Sequence, residues 1–164
     1  MSTFLTVFIW VIALIIMSFF LRHLITSLIH KGPDLGAFKS VRGNFTALLM
    51  GLAVAWIFGG FCEEIFFRGF LMNVIYKILP GSDRNSRVKW GLALVITSIL
   101  TGFGHSYQGI TGMILTGIIA LCFGSIYLTN NRNLWPGILT HGIYDSIAFI
   151  LVFSGFSLDS LIKF

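Results

Sequence analysis

The sequence predicts an all-α, polytopic transmembrane helical bundle. Three observations predict it. Apolar residues make up 56% of the 164 residues and charged residues only 10%, a balance typical of membrane chains rather than aqueous globular domains. The apolar residues gather into runs long enough to cross a bilayer core, which takes ~20 helical residues. The basic residues behind the net charge of +5 sit in short loops between those runs. That distribution reads as membrane topology and argues against nucleic acid as a partner.

The elements follow in order. Phe4 to Leu21 is an uncharged run with no positive charge before it and Arg22 after it. A cleavable signal peptide has the reverse arrangement and a small-residue cleavage site, so this run is expected to be an anchor. From Arg22 to Asn44 the chain turns polar, and Pro33 with its flanking glycines marks a loop. A second apolar segment starts near Phe45 and ends at Pro80-Gly81. As one helix it would be about 50 Å long, beyond a bilayer core. Gly59-Gly60 is the natural place for it to break. A polar loop over Ser82 to Lys89 leads to a third span from Trp90 to about His105.

Ser106 to Gly109 forms a turn, and Ile110 to Leu128 is a fourth span. Its Thr116, Ala120 and Gly124 form a small-residue stripe suited to close helix contact. Asn130 to Asn133 is a polar loop, and Leu134 to about Phe153 is the last span. The bundle therefore has five spans, or six if the second segment breaks at Gly59-Gly60. Residues 1–44 are read as an anchor and basic loop, 45–155 as the core, and 156–164 as a short tail. With a single crossing of the second segment, five basic residues fall on each side and the charge rule is silent. With a break, all but Lys163 share one side and the N-terminus lies outside, an arrangement the rule favours.

Few polar residues interrupt the spans. Between Phe45 and Cys62 there is no formal charge; then come Glu63, Glu64 and Arg68. Each charge at a helix centre costs roughly 2.5–3.5 kcal/mol on insertion scales, so three together imply a use. Glu64 and Arg68 are four apart and pair across one turn, whereas Glu63, turned by about 100°, is left to face something else. His105 ends the third span. His141 and Asp145 lie one turn apart on one face of the fifth. Ionisable groups in lipid turn toward the bundle interior, so these six are expected to line one cavity.

Two chemistries suit that set. A carboxylate and a histidine can hold a water between them, with the carboxylate as general base. The second histidine would then donate to a developing oxyanion. This is equipment for peptide-bond hydrolysis without a serine or cysteine nucleophile. Alternatively, Glu63, His105 and His141 could ligate zinc and leave an open position for water. No HExxH helix is present, so such a site would be built from separate helices.

Glu63-Glu64-x-x-x-Arg68, a lone His105 ending an apolar span, and His141-x-x-x-Asp145 together resemble the CPBP family of intramembrane proteases. That family includes the CAAX prenyl endopeptidases and the bacteriocin-processing and self-immunity proteins also called Abi. Phe67-Arg68-Gly69 and Leu134-Trp135-Pro136 carry the likeness further, and it covers roughly Leu52 to Leu151. The resemblance implies an intramembrane endopeptidase. In it Glu63 activates water, His105 shares that water, Glu64 and Arg68 form a supporting ion pair, and His141 with Asp145 stabilises the oxyanion. It implies no required cofactor beyond the zinc alternative. Its partners would be the lipid bilayer and a peptide or protein substrate, CAAX-type or bacteriocin-related, and its setting the bacterial cytoplasmic membrane.

Two positions depart from the family pattern. Thr101 stands where phenylalanine is frequent, and Asp145 occupies a position that takes Asn or Asp. An ionised aspartate cannot donate a hydrogen bond, so Asp145 would orient His141 or bind metal instead.

Other readings keep a place beside this one. Glu64 with Arg68, and His141 with Asp145, also suit structural pairs, and Glu63 and His105 suit interfacial positions. On that basis the chain could be a non-catalytic bacteriocin-immunity or membrane-binding protein. A small transporter or proton relay would also use intramembrane Glu and His, although the sequence lacks the inverted repeats many secondary transporters show. His23 and His30 match no motif. Cys62 and Cys122 lie in apolar segments without metal-type spacing and read as reduced.

Overall fold

The computed structural model describes residues 3–81 and 86–156. Helix α1, Thr3–Ile29, runs past the expected end at Leu21. Arg22 and His23 do not stop it, because a polar side chain at the end of a long helix reaches the interface without unwinding the backbone. Its buried face carries Thr6, Val7, Val11, Leu14 and Ile25, while Phe4, Phe8, Ile16 and Phe20 face outward. The loop expected from Arg22 therefore starts at His30.

That loop straps one end of the bundle. It contains a 3₁₀ turn, Gly36–Val41. The Asp34 amide donates to the Gln108 carbonyl (2.8 Å) and the Gly43 amide to the Phe153 carbonyl (3.0 Å). The Thr111 hydroxyl donates to the Lys31 carbonyl at 2.5 Å. Phe38 meets Phe149 edge-on.

The second segment corrects one expectation: it does not break at Gly59-Gly60. Asn44 caps α2, Phe45–Val54, by accepting from the Ala47 amide at 3.2 Å. The backbone then rewinds into a π segment, Ala55–Leu71, and returns to α-geometry in α3, Met72–Ile78. At the end of the π segment the Met72 amide reaches the Phe67 carbonyl, five residues back. π-Winding is rare and concentrates at functional sites. Continuous winding lets the backbone pair within the segment, as lipid requires, where an open break would leave groups unpaired. The glycines serve instead as contact points: a Cβ on Gly60 would lie 3.0 Å from the Ile138 carbonyl oxygen.

Helix α4, Ser86–Gly104, begins within the expected polar loop, of which residues 82–85 lie outside the described residues. The expected tail lies outside them too, except for Phe156. Helix α5, Gly109–Thr129, packs closely on α4. Ala93, Thr97, Ser98, Thr101 and Gly102 are buried on α4. A Cβ on Gly102 would lie 2.7 Å from the Met113 carbonyl oxygen, so the backbones meet as small residues allow. In the expected stripe Ala120 is buried, and a Cβ on Gly124 would collide with Leu94.

Asn131 and Arg132 take left-handed φ values of 55° and 61° in the turn to α6, Trp135–Phe153. Pro136 sits in the first turn of α6, where its missing N–H costs nothing.

Two buried clusters hold the bundle: Leu14, Ile119, Phe123 and Ile126; and Met72, Ile75, Ala93 and Tyr127. Among the described residues, four helical stretches are long and apolar enough to cross a membrane: Thr3–Ile29, Phe45–Ile78, Ser106–Thr129 and Trp135–Phe153. Helix α4, the expected third span, is less apolar, because Arg87 and Lys89 occupy its first turn and three hydroxyl residues its buried face. The architecture is a polytopic helical bundle.

Candidate active site

The site forms where the π segment crosses α6. Glu64 is 0% exposed and Arg68 3%, and their side chains meet at 3.2 Å, Arg68 Nη1 to Glu64 Oε1. The same Oε1 lies 2.9 Å from His141 Nδ1. Arg68 Nη2 donates to the Ala120 carbonyl on α5 at 3.0 Å. One carboxylate thus holds a guanidinium from its own helix and an imidazole from another. Burial of such charges is tolerated only with this degree of pairing.

The other ring nitrogen of His141 faces Asp145. Nε2 lies 3.5 Å from Asp145 Oδ2, beyond ordinary hydrogen-bond length. The Asp145 side chain keeps 30% exposure. Gly59 borders this gap: a Cβ there would lie 2.7 Å from Asp145 Oδ2 and 3.5 Å from His141 Nε2. Gly137 borders the buried side, where a Cβ would lie 2.9 Å from Glu64 Oε2. Phe123 of α5 stacks on the His141 ring.

Glu63 and His105 are half-buried. Glu63 forms no ion pair among the described residues. Glu63 lies within coulombic range of His141 and Asp145, and His105 within that of Asp145. His105 Nδ1 lies 2.9 Å from the Thr101 carbonyl. When Nδ1 donates there, Nε2 is left as an acceptor. Because a backbone carbonyl holds the ring, the side chain at 101 is not needed for it. The Thr101 hydroxyl is satisfied within α4, donating to the Thr97 carbonyl at 2.9 Å.

Of the six residues singled out in the sequence, Glu64, Arg68, His141 and Asp145 form one contact chain. Glu63 and His105 lie within electrostatic reach of it. The Glu64–His141 contact joins residues 77 apart, and no spacing rule announces it. Gly59, Gly137, Ala120 and Phe123 were also missed: an apolar or small residue inside a span carries no sign of the group it faces.

Both ring nitrogens of His141 face carboxylates, and no group of three or more His, Cys, Asp or Glu side chains among the described residues has metal-holding geometry. Both cysteines are free thiols, Cys62 exposed and Cys122 half-buried. A separate polar cavity lined by Thr3, Thr6, Trp10, Asn130 and Asn133 contains none of the candidate residues.

The sequence profile of the Type II CAAX prenyl endopeptidase Rce1-like family matches residues 44–147. The chain belongs to the Rce1-like family. The matched region spans every candidate residue, from Glu63 to Asp145. Membership makes this Rce1-like chain a membrane-embedded protease of the CAAX endopeptidase type at the level of the family. No curated protein and no solved structure matches the chain.

Proposed function

We propose that this Rce1-like chain hydrolyses a peptide bond of a membrane-associated, CAAX-type peptide with a water activated by Glu63 and His105. The observation that carries the reading is the opposed setting of the two nitrogens of His141. Nδ1 is locked on buried Glu64, and Nε2 faces partly exposed Asp145 at 3.5 Å, with Gly59 alongside. A ring held at one nitrogen is preorganised to donate from the other, which is what oxyanion stabilisation needs.

In this scheme the water sits between the Glu63 carboxylate and His105 Nε2. Glu63 takes one water proton as the oxygen bonds to the scissile carbonyl carbon. The carbonyl oxygen, now negative, approaches from the exposed side beside Asp145 and accepts from the Nε2–H of His141. Asp145 orients the imidazole and balances its charge. Collapse of the tetrahedral intermediate breaks the C–N bond, and Glu63 returns its proton to the departing amine. Glu64 and Arg68 touch no substrate; they hold His141 in place.

The test compares peptide termini in membranes from cells expressing the native chain or Glu63→Gln at matched abundance. Termini found only with the native chain support the reading and define the substrate class. Matching profiles would reject catalysis and leave a binding protein on a protease scaffold.

A further inference from the structure

Helix α5 carries none of the motif residues, yet it supports both buried partners of Glu64. Ala120 accepts from Arg68 through its carbonyl. One turn later Phe123, 2% exposed, lays its ring against His141 with centroids 4.3 Å apart and planes 20° from parallel. The Arg68 guanidinium carbon lies 5.5 Å from the centroid of the same ring. We propose that Phe123 is a positioning residue for His141, fixing the plane of the imidazole so that Nε2 points into the gap beside Asp145. The inference rests on the peptidase reading above and adds a residue to it.

The physical need is specific. A single hydrogen bond at Nδ1 restrains the histidine χ2 torsion only within the tolerance of hydrogen-bond length and angle, and that torsion is broad. Libration of the ring about the Cβ–Cγ bond within that tolerance shifts Nε2 relative to Gly59 and Asp145. A near-parallel aromatic face removes this freedom, because offset stacking has a preferred orientation. The same face attracts cations, so it retains His141 in that plane when the ring is charged. Leucine would fill much of the volume and exclude water, but would impose no orientation. Ring geometry, rather than packing alone, is therefore the property under test.

The experiment uses full-length protein with labelled histidine in lipid nanodiscs, as native chain, Phe123→Leu and Phe123→Tyr. His141→Gln serves to assign the His141 signals. In the native chain and Phe123→Tyr, the His141 ring signals are displaced by the ring current of the stacked face. In Phe123→Leu that displacement disappears. On the peptide identified from the termini comparison, Phe123→Leu lowers kcat roughly tenfold, the size of one stacking interaction. KM stays within about twofold, since no substrate contact is lost. The pH profile of kcat moves, because the environment of the imidazole has changed. Phe123→Tyr recovers most of kcat.

A Phe123→Leu variant with native kcat and an unmoved pH profile would overturn the proposal. So would a loss of activity that merely follows its loss of folded protein with the profile unmoved. If the native chain cleaves nothing, the peptidase reading fails by itself and the spectra decide the positioning role. Unchanged His141 signals in Phe123→Leu would then reject it.

Discussion

Two carboxylates adjacent in the chain occupy opposite settings. Glu64 is fully buried, with Arg68 and His141 on one oxygen and Gly137 closing in on the other. Glu63 is half-buried and forms no ion pair among the described residues. The same division continues through His141, which has one nitrogen inside the buried clamp and the other facing the partly exposed Asp145. A single residue step along the helix, about 100°, separates a buried, paired carboxylate from a half-buried one. It follows that substitutions on the clamp side cost stability first, and substitutions on the open side cost turnover first.

The largest effect is expected from Glu64→Gln. It leaves Arg68 buried without a counter-charge, a change that costs about 3–5 kcal/mol. Unfolding of the purified protein in mixed micelles checks this, and a native-like midpoint would erase the distinction between the two sides. Gly137→Ala tests the same side more gently. Its methyl would lie 2.9 Å from Glu64 Oε2, and Glu64 has nowhere to move, so overpacking costs about 1–3 kcal/mol.

Gly59→Ala is the matching change on the open side. Its methyl would lie 2.7 Å from Asp145 Oδ2, but Asp145 is partly exposed and can turn away. Stability should fall by about 1 kcal/mol or less, while the occupied gap lowers peptide cleavage about a hundredfold, the cost of a misplaced reacting group. A large loss of stability without selective loss of turnover would blur the comparison. The smallest stability effect is expected from Asp145→Asn, about 0–1 kcal/mol for removing a partly exposed charge pair. Its amide can donate where the carboxylate cannot, so cleavage should stay within roughly tenfold of native.

Much of this was legible in the sequence, and the limits have physical causes. The uncharged runs located the spans, and one-turn spacing placed Glu64 with Arg68 and His141 with Asp145. Periodicity could not foresee π-winding, because Gly59-Gly60 looks the same whether it breaks a helix or lets another helix approach. The overrun of α1 past Arg22 was hidden because charge at a helix end marks an interface, not a terminus. The pairing of Glu64 with His141 depends on how two helices cross, which no local pattern encodes. Phe123 was invisible among 17 phenylalanines, since stacking on a histidine and facing lipid leave the same letter in the chain.

The most direct test of the central claim is cleavage by purified Glu63→Gln in liposomes, measured beside its unfolding midpoint. The account predicts an unmoved midpoint with turnover lowered by two to four orders of magnitude, roughly the contribution of a positioned general base. Native turnover in the folded variant would contradict it and remove Glu63 from the chemistry.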